Sequence, residues 1–296
     1  MAEQLARQFD TARNTAGQRA LVGAAVLLFM QIGCSQIGVD PEEPAAIEFE
    51  ALASPSIVIG DSLRNAEGVA TPLHAIVRNI RGEIIDDAPV SYVYAEYNRD
   101  SALIVDPETG FVTAVKQPTG ETRVAARVGG ALQVLRTITV SARPDSMDRV
   151  GQPNISQLVT RLPDESNSSA AANTSGALTV VVRSIGETDG VPSTTPVRNW
   201  LVRYAVVMPA NPSNDSTAAV FLVNDAGKAS TVDTTDAQGV ASRKVRVRAA
   251  LFPASADPDS VVVEATSSYR GTALRGAPVR IVVPVQRGTA AAARRD

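Results

Sequence analysis

The sequence predicts an all-β protein made of two tandem β-sandwiches after an N-terminal signal or anchor helix. From residue 45 onward, apolar side chains recur at every second position in short runs. Gly, Pro, Asn or Asp separates these runs about every ten residues, the spacing that is typical of sandwiches and barrels. The chain has 296 residues, and an expectation of about 150 residues per domain predicts two domains.

The composition narrows the classes of function. Hydrophobic residues make up 44% of the chain and aromatic residues only 4%, while abundant Val and Thr favour strands. A net charge of -3, with both signs interspersed, argues against nucleic-acid binding. The chain contains one cysteine, so no intrachain disulfide forms and each sandwich must be held by packing alone.

Residues 1–33 have the layout of a secretory signal peptide. The apolar run 20–30 is too short, at about 11 residues, to cross a hydrocarbon layer of about 30 Å comfortably. Three arginines precede this run: Arg7, Arg13 and Arg19. These features predict a segment that directs export.

Cys34 follows this run directly behind Gly33. The arrangement resembles the lipobox of bacterial lipoproteins, although Gln31 stands where an aliphatic residue is usual. The resemblance implies that acyl chains on Cys34 anchor the protein at a membrane. Ser35 is not the aspartate that usually signals inner-membrane retention, which implies the outer membrane or the cell surface. The alternative is an uncleaved helix that anchors the chain in a single pass.

Residues 34–44 are predicted to form a short, extended tether. Three acids and two prolines stand within 40–44, and such a segment cannot build a core. The tether would lift the folded part off the bilayer.

The first folded unit is predicted at 45–143. Its expected strands lie at 47–51, 57–59, 73–77, 90–94, 124–128 and 132–140. A more specific segment, 102–115, contains a Val-Asp pair, a glycine turn at Gly110 and a Val-Thr-Ala strand. This segment resembles the second group of bacterial Ig-like domains, which implies an immunoglobulin-like sandwich. Tyr92 stands where that family usually has a tryptophan.

The second folded unit is predicted at 144–286, after a joint at 143–146. Its expected strands lie at 155–159, 178–183, 200–206, 219–223, 261–265 and 279–285. The segment 234–241, with a Thr-Asp turn and Gly239, resembles the first group of bacterial Ig-like domains. Trp200 is then expected in the core. Residues 287–296 are predicted to be a disordered tail.

Catalytic and metal sites find little support in the sequence. His74 is the only histidine, and it alternates with apolar positions of its strand, so it is expected to face solvent. A Ser-His-Asp triad would need it, and zinc sites need several Cys and His ligands. No enzyme activity and no cofactor are therefore predicted. The weak candidates for a calcium site are Asp145 and Asp148, beside the joint.

The basic strand 244–248 places Lys244, Arg246 and Arg248 on one face. A patch for anionic polymers or lipid headgroups is one interpretation. The favoured interpretation is that these charges lie on a solvated sheet face, where they deter edge pairing.

The leading hypothesis is a non-catalytic envelope protein whose sandwiches act as spacer or adhesion modules. The expected contact sites for a protein or polysaccharide ligand are the loops at 163–176, 186–196 and 209–216, because end loops carry binding in such folds. An alternative is an envelope assembly component that docks a partner through sheet edges or through Leu201 and Val262. A third hypothesis is an enzyme of unfamiliar type, which would need a pair of carboxylates in a concave surface.

Overall fold

The computed structural model describes residues 40, 42–96, 101–151, 159–162, 173–188, 190–210, 214–248, 251–252 and 260–287. The predicted signal peptide, Cys34 and the residues after 287 lie outside these ranges. Every regular element in the described ranges is a β-strand, which confirms the all-β prediction. No helix there is both long enough and apolar enough to cross a membrane.

Nine strands of the first sandwich lie in the described ranges. They are β1 (Pro44–Phe49), β2 (Ser56–Val58), β3 (Ala75–Asn79), β4 (Ser91–Tyr94), β5 (Leu103–Val105), β6 (Val112–Ala114), β7 (Arg123–Val128), β8 (Leu132–Thr137) and β9 (Thr139–Ser141). β1 pairs with β3, β5 with β6, and β4, β7 and β8 form a three-stranded sheet, all antiparallel. β2 and β9 pair in parallel. Pro44, predicted as the end of the tether, instead begins β1.

The core of the first sandwich comes from the alternating positions that the sequence predicted. Leu73, Ala75 and Val77 are buried on one face of β3 and its approach, while His74 between them is exposed. Tyr92 is 6% exposed, and its hydroxyl accepts a hydrogen bond from the Ala75 N–H. The tyrosine therefore belongs to the buried core of the first sandwich.

The part of the second sandwich that the structure describes has twelve strands. They are β10 (Ser146–Arg149), β11 (Val159–Leu162), β12 (Leu178–Thr188), β13 (Val191–Pro196), β14 (Leu201–Met208), β15 (Val220–Val223), β16 (Val232–Thr234), β17 (Val240–Val247), β18 (Ser260–Thr266), β19 (Ser268–Tyr269), β20 (Thr272–Ala273) and β21 (Val279–Arg287). One sheet has the order β10-β12-β17-β15, with β13 also on β12, and the other has the order β11-β21-β18-β14-β16. Their inward-facing valines form one buried cluster with Trp200 and Tyr204.

Each sandwich contains an aspartate–glycine turn at the segment that carries its resemblance, with the glycine four residues after Asp106 and three residues after Asp236. Asp106 accepts hydrogen bonds from the N–H groups of Glu108 and Thr109, and Asp236 accepts them from those of Gln238 and Val240. Each turn ends at a glycine in the left-handed region, Gly110 with φ +75° and Gly239 with φ +73°. A Cβ on these glycines would lie 2.7 Å from the Leu73 carbonyl oxygen or 2.6 Å from that of Val182. Only glycine therefore fits this turn against the neighbouring strand.

The described parts of two expected contact loops, 186–196 and 163–176, are more ordered than predicted. Residues 186–188 and 191–196 lie in a β-hairpin, in which β12 and β13 pair from Arg183 and Pro196 to Thr188 and Val191. Residues 173–176 lie against β17, where Ser175 N–H donates to the Val245 carbonyl and both Asn173 and Ser175 are buried. Backbone pairing is satisfied in both places, so neither is a free loop. Residues 163–172 and 211–213 lie outside the described ranges.

Candidate functional site

The candidate site lies where the two sandwiches meet. Val58, at the end of β2, packs into the hydrophobic core of the second sandwich. The chain then turns at Gly60, with φ +77°, and places Asp61 at the boundary. The backbone of Asp61 is held within the first sandwich, because its N–H donates to the Val58 carbonyl and its carbonyl accepts from the Ala114 N–H.

A short hairpin of the second sandwich meets this turn. Tyr269 pairs with Thr272 across the β19–β20 hairpin, and the two residues between them have positive φ, +50° at Arg270 and +75° at Gly271. This is the backbone of a type I′ turn, which matches the twist of its strands. The turn places Tyr269 and Arg270 side by side over Asp61.

Five donors surround the Asp61 carboxylate, which is 5% exposed. Arg64 donates from Nε and Nη2, both at 2.8 Å. The Ser62 N–H donates at 2.9 Å. From the second sandwich, the Tyr269 hydroxyl donates at 2.8 Å and Arg270 Nε at 2.9 Å. We call Asp61, Arg64, Tyr269 and Arg270 the interdomain knot.

The electrostatics of the interdomain knot keep Asp61 ionised. Burial by itself would raise the pKa of Asp61, but the hydrogen bonds from Arg64, Arg270, Tyr269 and the Ser62 N–H outweigh burial and hold this pKa well below its usual range. Burial and the neighbouring Asp61 carboxylate raise the pKa of Tyr269, so its hydroxyl keeps the proton that it donates. A carboxylate this acidic and this fully bonded is a poor general base.

Aromatic contacts extend the interdomain knot into the second sandwich. The guanidinium groups of Arg270 and Arg143 lie 5.4 and 5.7 Å from the Tyr269 ring centroid, within the range of cation–π attraction. Trp200 meets the same ring edge to face, with centroids 6.1 Å apart. The indole Nε1 donates to Ser267 Oγ at 3.0 Å. Trp200 is 8% exposed, as its predicted core position requires.

The two sandwiches also touch backbone to backbone. A Cβ on Gly68, whose φ is +82°, would lie 2.4 Å from the carbonyl carbon of Arg270. On the other side, a Cβ on Gly271 would lie 3.1 Å from the Glu67 carbonyl oxygen. No side chain fits between these turns without displacing one of them. The interface is therefore closely packed at the interdomain knot.

A cleft of about 280 Å³ opens beside the interdomain knot. Both sandwiches line it, the first with residues between Ala53 and Gly68 and the second with residues at 200–203 and 266–273. A second concave region of about 430 Å³ lies at the boundary, lined by 118–122, 137–140, Arg198 and Asn199. There Asn199 Nδ2 donates to Thr139 Oγ1 over 2.8 Å.

The residues singled out in the sequence lie elsewhere. The His74 side chain is 66% exposed, and its Nδ1 lies 3.3 Å from Glu50 Oε2, which confirms the predicted surface position. Asp145 contacts Arg143 at 3.2 Å and accepts the Ile185 N–H at 2.9 Å, whereas Asp148 is exposed on β10. Among the described residues, no three His, Cys, Asp or Glu side chains gather as metal ligands.

The docking residues proposed for an assembly component are poorly placed for that role. Val262 is only 4% exposed, although it alternates with the inward-facing Val261 and Val263. Leu201 is half-buried at the edge of the cleft. Lys244 and Arg246 do alternate with buried valines, as predicted, but Lys244 pairs with Asp225 at 3.0 Å and Arg246 lies over Phe221.

Sequence reasoning missed the interdomain knot. Gly60-Asp61 ends a strand like many exposed turns, and Arg64 follows three residues later as in an ordinary local ion pair. The only local signal is Tyr269-Arg270-Gly271, where an Arg-Gly pair stands between two strand residues. That signal predicts a tight hairpin, but it does not say which residue the hairpin meets.

Comparison with solved structures finds multidomain surface proteins. These include the S-layer protein rSbsC(31-844), at 13% identity and a TM-score of 0.27 over 84% of this chain and 29% of that one. The adhesin InvE of Yersinia pseudotuberculosis follows, at 14% identity and a TM-score of 0.30 over 81% and 58%. The protocadherin GammaB4 extracellular domain has 9% identity and a TM-score of 0.25 over 83% and 33%.

TM-scores this low carry no functional argument. The alignments cover between 29% and 58% of these three structures. No protein-family profile matches the sequence, and no curated protein matches it.

Proposed function

We propose that this chain is a non-catalytic, exported surface protein whose two immunoglobulin-like sandwiches form one stiff spacer or adhesion module. The observation that carries the proposal is the interdomain knot. A flexible linker would leave the two sandwiches free to rotate, as is the default between domains with small polar interfaces. Here a buried carboxylate takes donors from both sandwiches, so rotation would remove the hydrogen bonds from Tyr269 and Arg270 and leave their donors to find other partners.

The close contact of the turns at Gly68 and Arg270 supports the same conclusion. Hydrogen bonds alone tolerate some movement, whereas backbone atoms at van der Waals contact restrict both rotation and sliding. Val58 adds an apolar anchor, since it belongs to the first sandwich by sequence and to the core of the second by packing. Stiffness is what a spacer or an adhesion module needs to hold a binding surface away from its anchor.

Pulsed electron paramagnetic resonance tests the stiffness. Nitroxide labels at Asp86→Cys and Lys228→Cys, both in exposed turns, with Cys34→Ser to remove the native thiol, should give one narrow distance distribution. The added substitution Asp61→Ala should broaden that distribution. A broad distribution in the protein with Asp61 intact would overturn the proposal, as would a distribution that Asp61→Ala leaves unchanged.

We further infer that the protein is lipid-anchored through Cys34 at the outer membrane or cell surface. The support is the order of arginines, apolar run, Gly33 and Cys34 in the sequence, together with Ser35 behind them. Mass spectrometry of the mature N-terminus decides this. A diacyl or triacyl mass on Cys34 is expected, and an unmodified cysteine in an uncleaved chain would favour the single-pass anchor instead.

We also assign the first sandwich to the second group of bacterial Ig-like domains and the second sandwich to the first group. The turns at Asp106 and Asp236 support this assignment, because each has the aspartate and the glycine of its group, and each glycine has a positive φ. A sequence alignment of homologous chains should keep the glycines at both turns. Free replacement of Gly110 or Gly239 by larger residues would argue against the assignment.

A further inference from the structure

The cleft beside the interdomain knot carries an excess of positive charge. Arg64, Arg203 and Arg270 line it, against a single carboxylate, Asp61. The cleft thus has an excess of two positive charges, although the whole chain has a net charge of -3. Such an excess within a concave surface concentrates anions from solution.

Part of this charge is unused by the protein. The Asp61 carboxylate is saturated by its five donors, and Arg270 binds it through Nε alone. Among the described residues, Arg270 hydrogen-bonds a carboxylate through Nε alone and also meets the Tyr269 side chain, and the guanidinium of Arg203 has no carboxylate partner. Arg203 is exposed on β14, and the Arg270 side chain is 51% exposed. Both guanidinium groups are therefore available for an oxyanion, which they bind in a fork geometry.

The rest of the lining is suited to hydroxyl groups more than to an apolar body. Hydroxyl side chains recur on both walls of the cleft: Ser54, Ser62, Thr266 and Ser268. The aromatic residues offer little surface, because Trp200 is 8% exposed and two guanidinium groups already lie over the Tyr269 ring. The volume of about 280 Å³ is near the lower end of small-molecule sites, about 300 Å³.

We propose that this cleft binds a small hydroxylated anion, the class to which sugar acids and sugar phosphates belong. The carboxylate or phosphate group lies between Arg203 and Arg270, and the hydroxyls of the ligand contact the serine and threonine side chains. Both sandwiches contribute to the site, so it exists only when they are held together. The proposal goes beyond the spacer role and concerns what the module recognises.

Isothermal titration calorimetry at low salt tests the proposal on the full chain in detergent. The probes are glucuronate, glucose 6-phosphate, glucose and inorganic phosphate. Binding of glucuronate, glucose 6-phosphate or both is expected, and the one that binds identifies the anionic group. Glucose should not bind, because it lacks the charge, and inorganic phosphate should bind at least about tenfold more weakly, because it lacks the hydroxylated body.

Matched variants locate the binding site. Arg203→Gln should weaken binding by at least about tenfold, since it removes one charged donor group, and it leaves the interdomain knot intact. Arg280→Gln should leave binding unchanged, because Arg280 is exposed on β21 of the same sheet and does not line the cleft. The proposal fails if neither sugar anion binds, if Arg203→Gln binds as well as the unmodified chain, or if inorganic phosphate binds as tightly as the sugar anions.

Discussion

The hydroxyl of Tyr269, in the second sandwich, donates a hydrogen bond to Oδ2 of Asp61, in the first, across 2.8 Å and 208 positions of sequence. The bond joins a hairpin turn to a strand-end turn, and neither residue is unusual within its own sandwich. The pairing converts two ordinary surface turns into an interface. Its consequences for stability and for pH can be measured.

Asp61→Asn should destabilise the protein by about 2–3 kcal/mol, because hydrogen bonds to a charged group are lost and Arg64 keeps its charge beside a neutral amide. Urea unfolding followed by tryptophan fluorescence measures this, since Trp200 is the only tryptophan and contacts Tyr269. Asp86→Asn, in an exposed turn, is the control and should change stability little. Equal effects of the two substitutions would contradict the role given to Asp61.

The contribution of Asp61 should disappear at low pH. Its pKa in the folded protein lies well below the value of about 3.9 in an unfolded chain. The unfolded state therefore binds the proton first, and the stabilisation is complete above about pH 4 and lost as the pH falls below it towards the folded value. The difference in unfolding free energy between the native chain and Asp61→Asn should be constant from about pH 7 to pH 5 and shrink below pH 4. A difference that stays constant down to about pH 3 would refute this.

Gly68→Ala should be more damaging than Gly82→Ala. Both glycines end turns that begin with asparagine, and their φ angles are +82° and +83°. Placing alanine in this left-handed conformation therefore costs about 1–2 kcal/mol of stability in each variant. A Cβ added at Gly68 would lie 2.4 Å from the carbonyl carbon of Arg270, whereas a Cβ added at Gly82 would meet no atom within 4 Å. An additional loss of about 1–3 kcal/mol is expected for Gly68→Ala, measured by urea unfolding. Similar losses for the two variants would mean that the turns do not pack as described.

Two buried tyrosines should respond in opposite directions to loss of the hydroxyl. Tyr204 is 2% exposed, and its hydroxyl has no hydrogen-bond partner among the described residues. Tyr204→Phe should be neutral or stabilising by up to about 1 kcal/mol, because an unpaired polar group is removed. Tyr92→Phe should cost about 1–2 kcal/mol, because the Ala75 N–H loses its acceptor. Thermal unfolding of both variants distinguishes them, and destabilisation by Tyr204→Phe would show that its hydroxyl is satisfied.

Much of the fold was predictable because its signals are local. The strands expected at 124–128 and 132–140 pair as β7 and β8, and the turns at Asp106 and Asp236 lie where their glycines stand. The sequence analysis missed strands that are polar or contain proline. Ile185 pairs with Thr194 in a hairpin, but Gly186 and the two prolines of β13 are typical of a loop.

The sequence by itself determined the alternation of apolar residues, the turn glycines and the core positions of Tyr92 and Trp200, because strand period and turn geometry depend on near neighbours. Only the tertiary structure decided that Asp61 is buried and that Val262 is covered, because burial of an outward-facing residue depends on chain segments far away in sequence. The interdomain knot and its cleft belong to this second kind. They arise where two separately predictable sandwiches meet, and their electrostatics follow from distances that no local pattern contains.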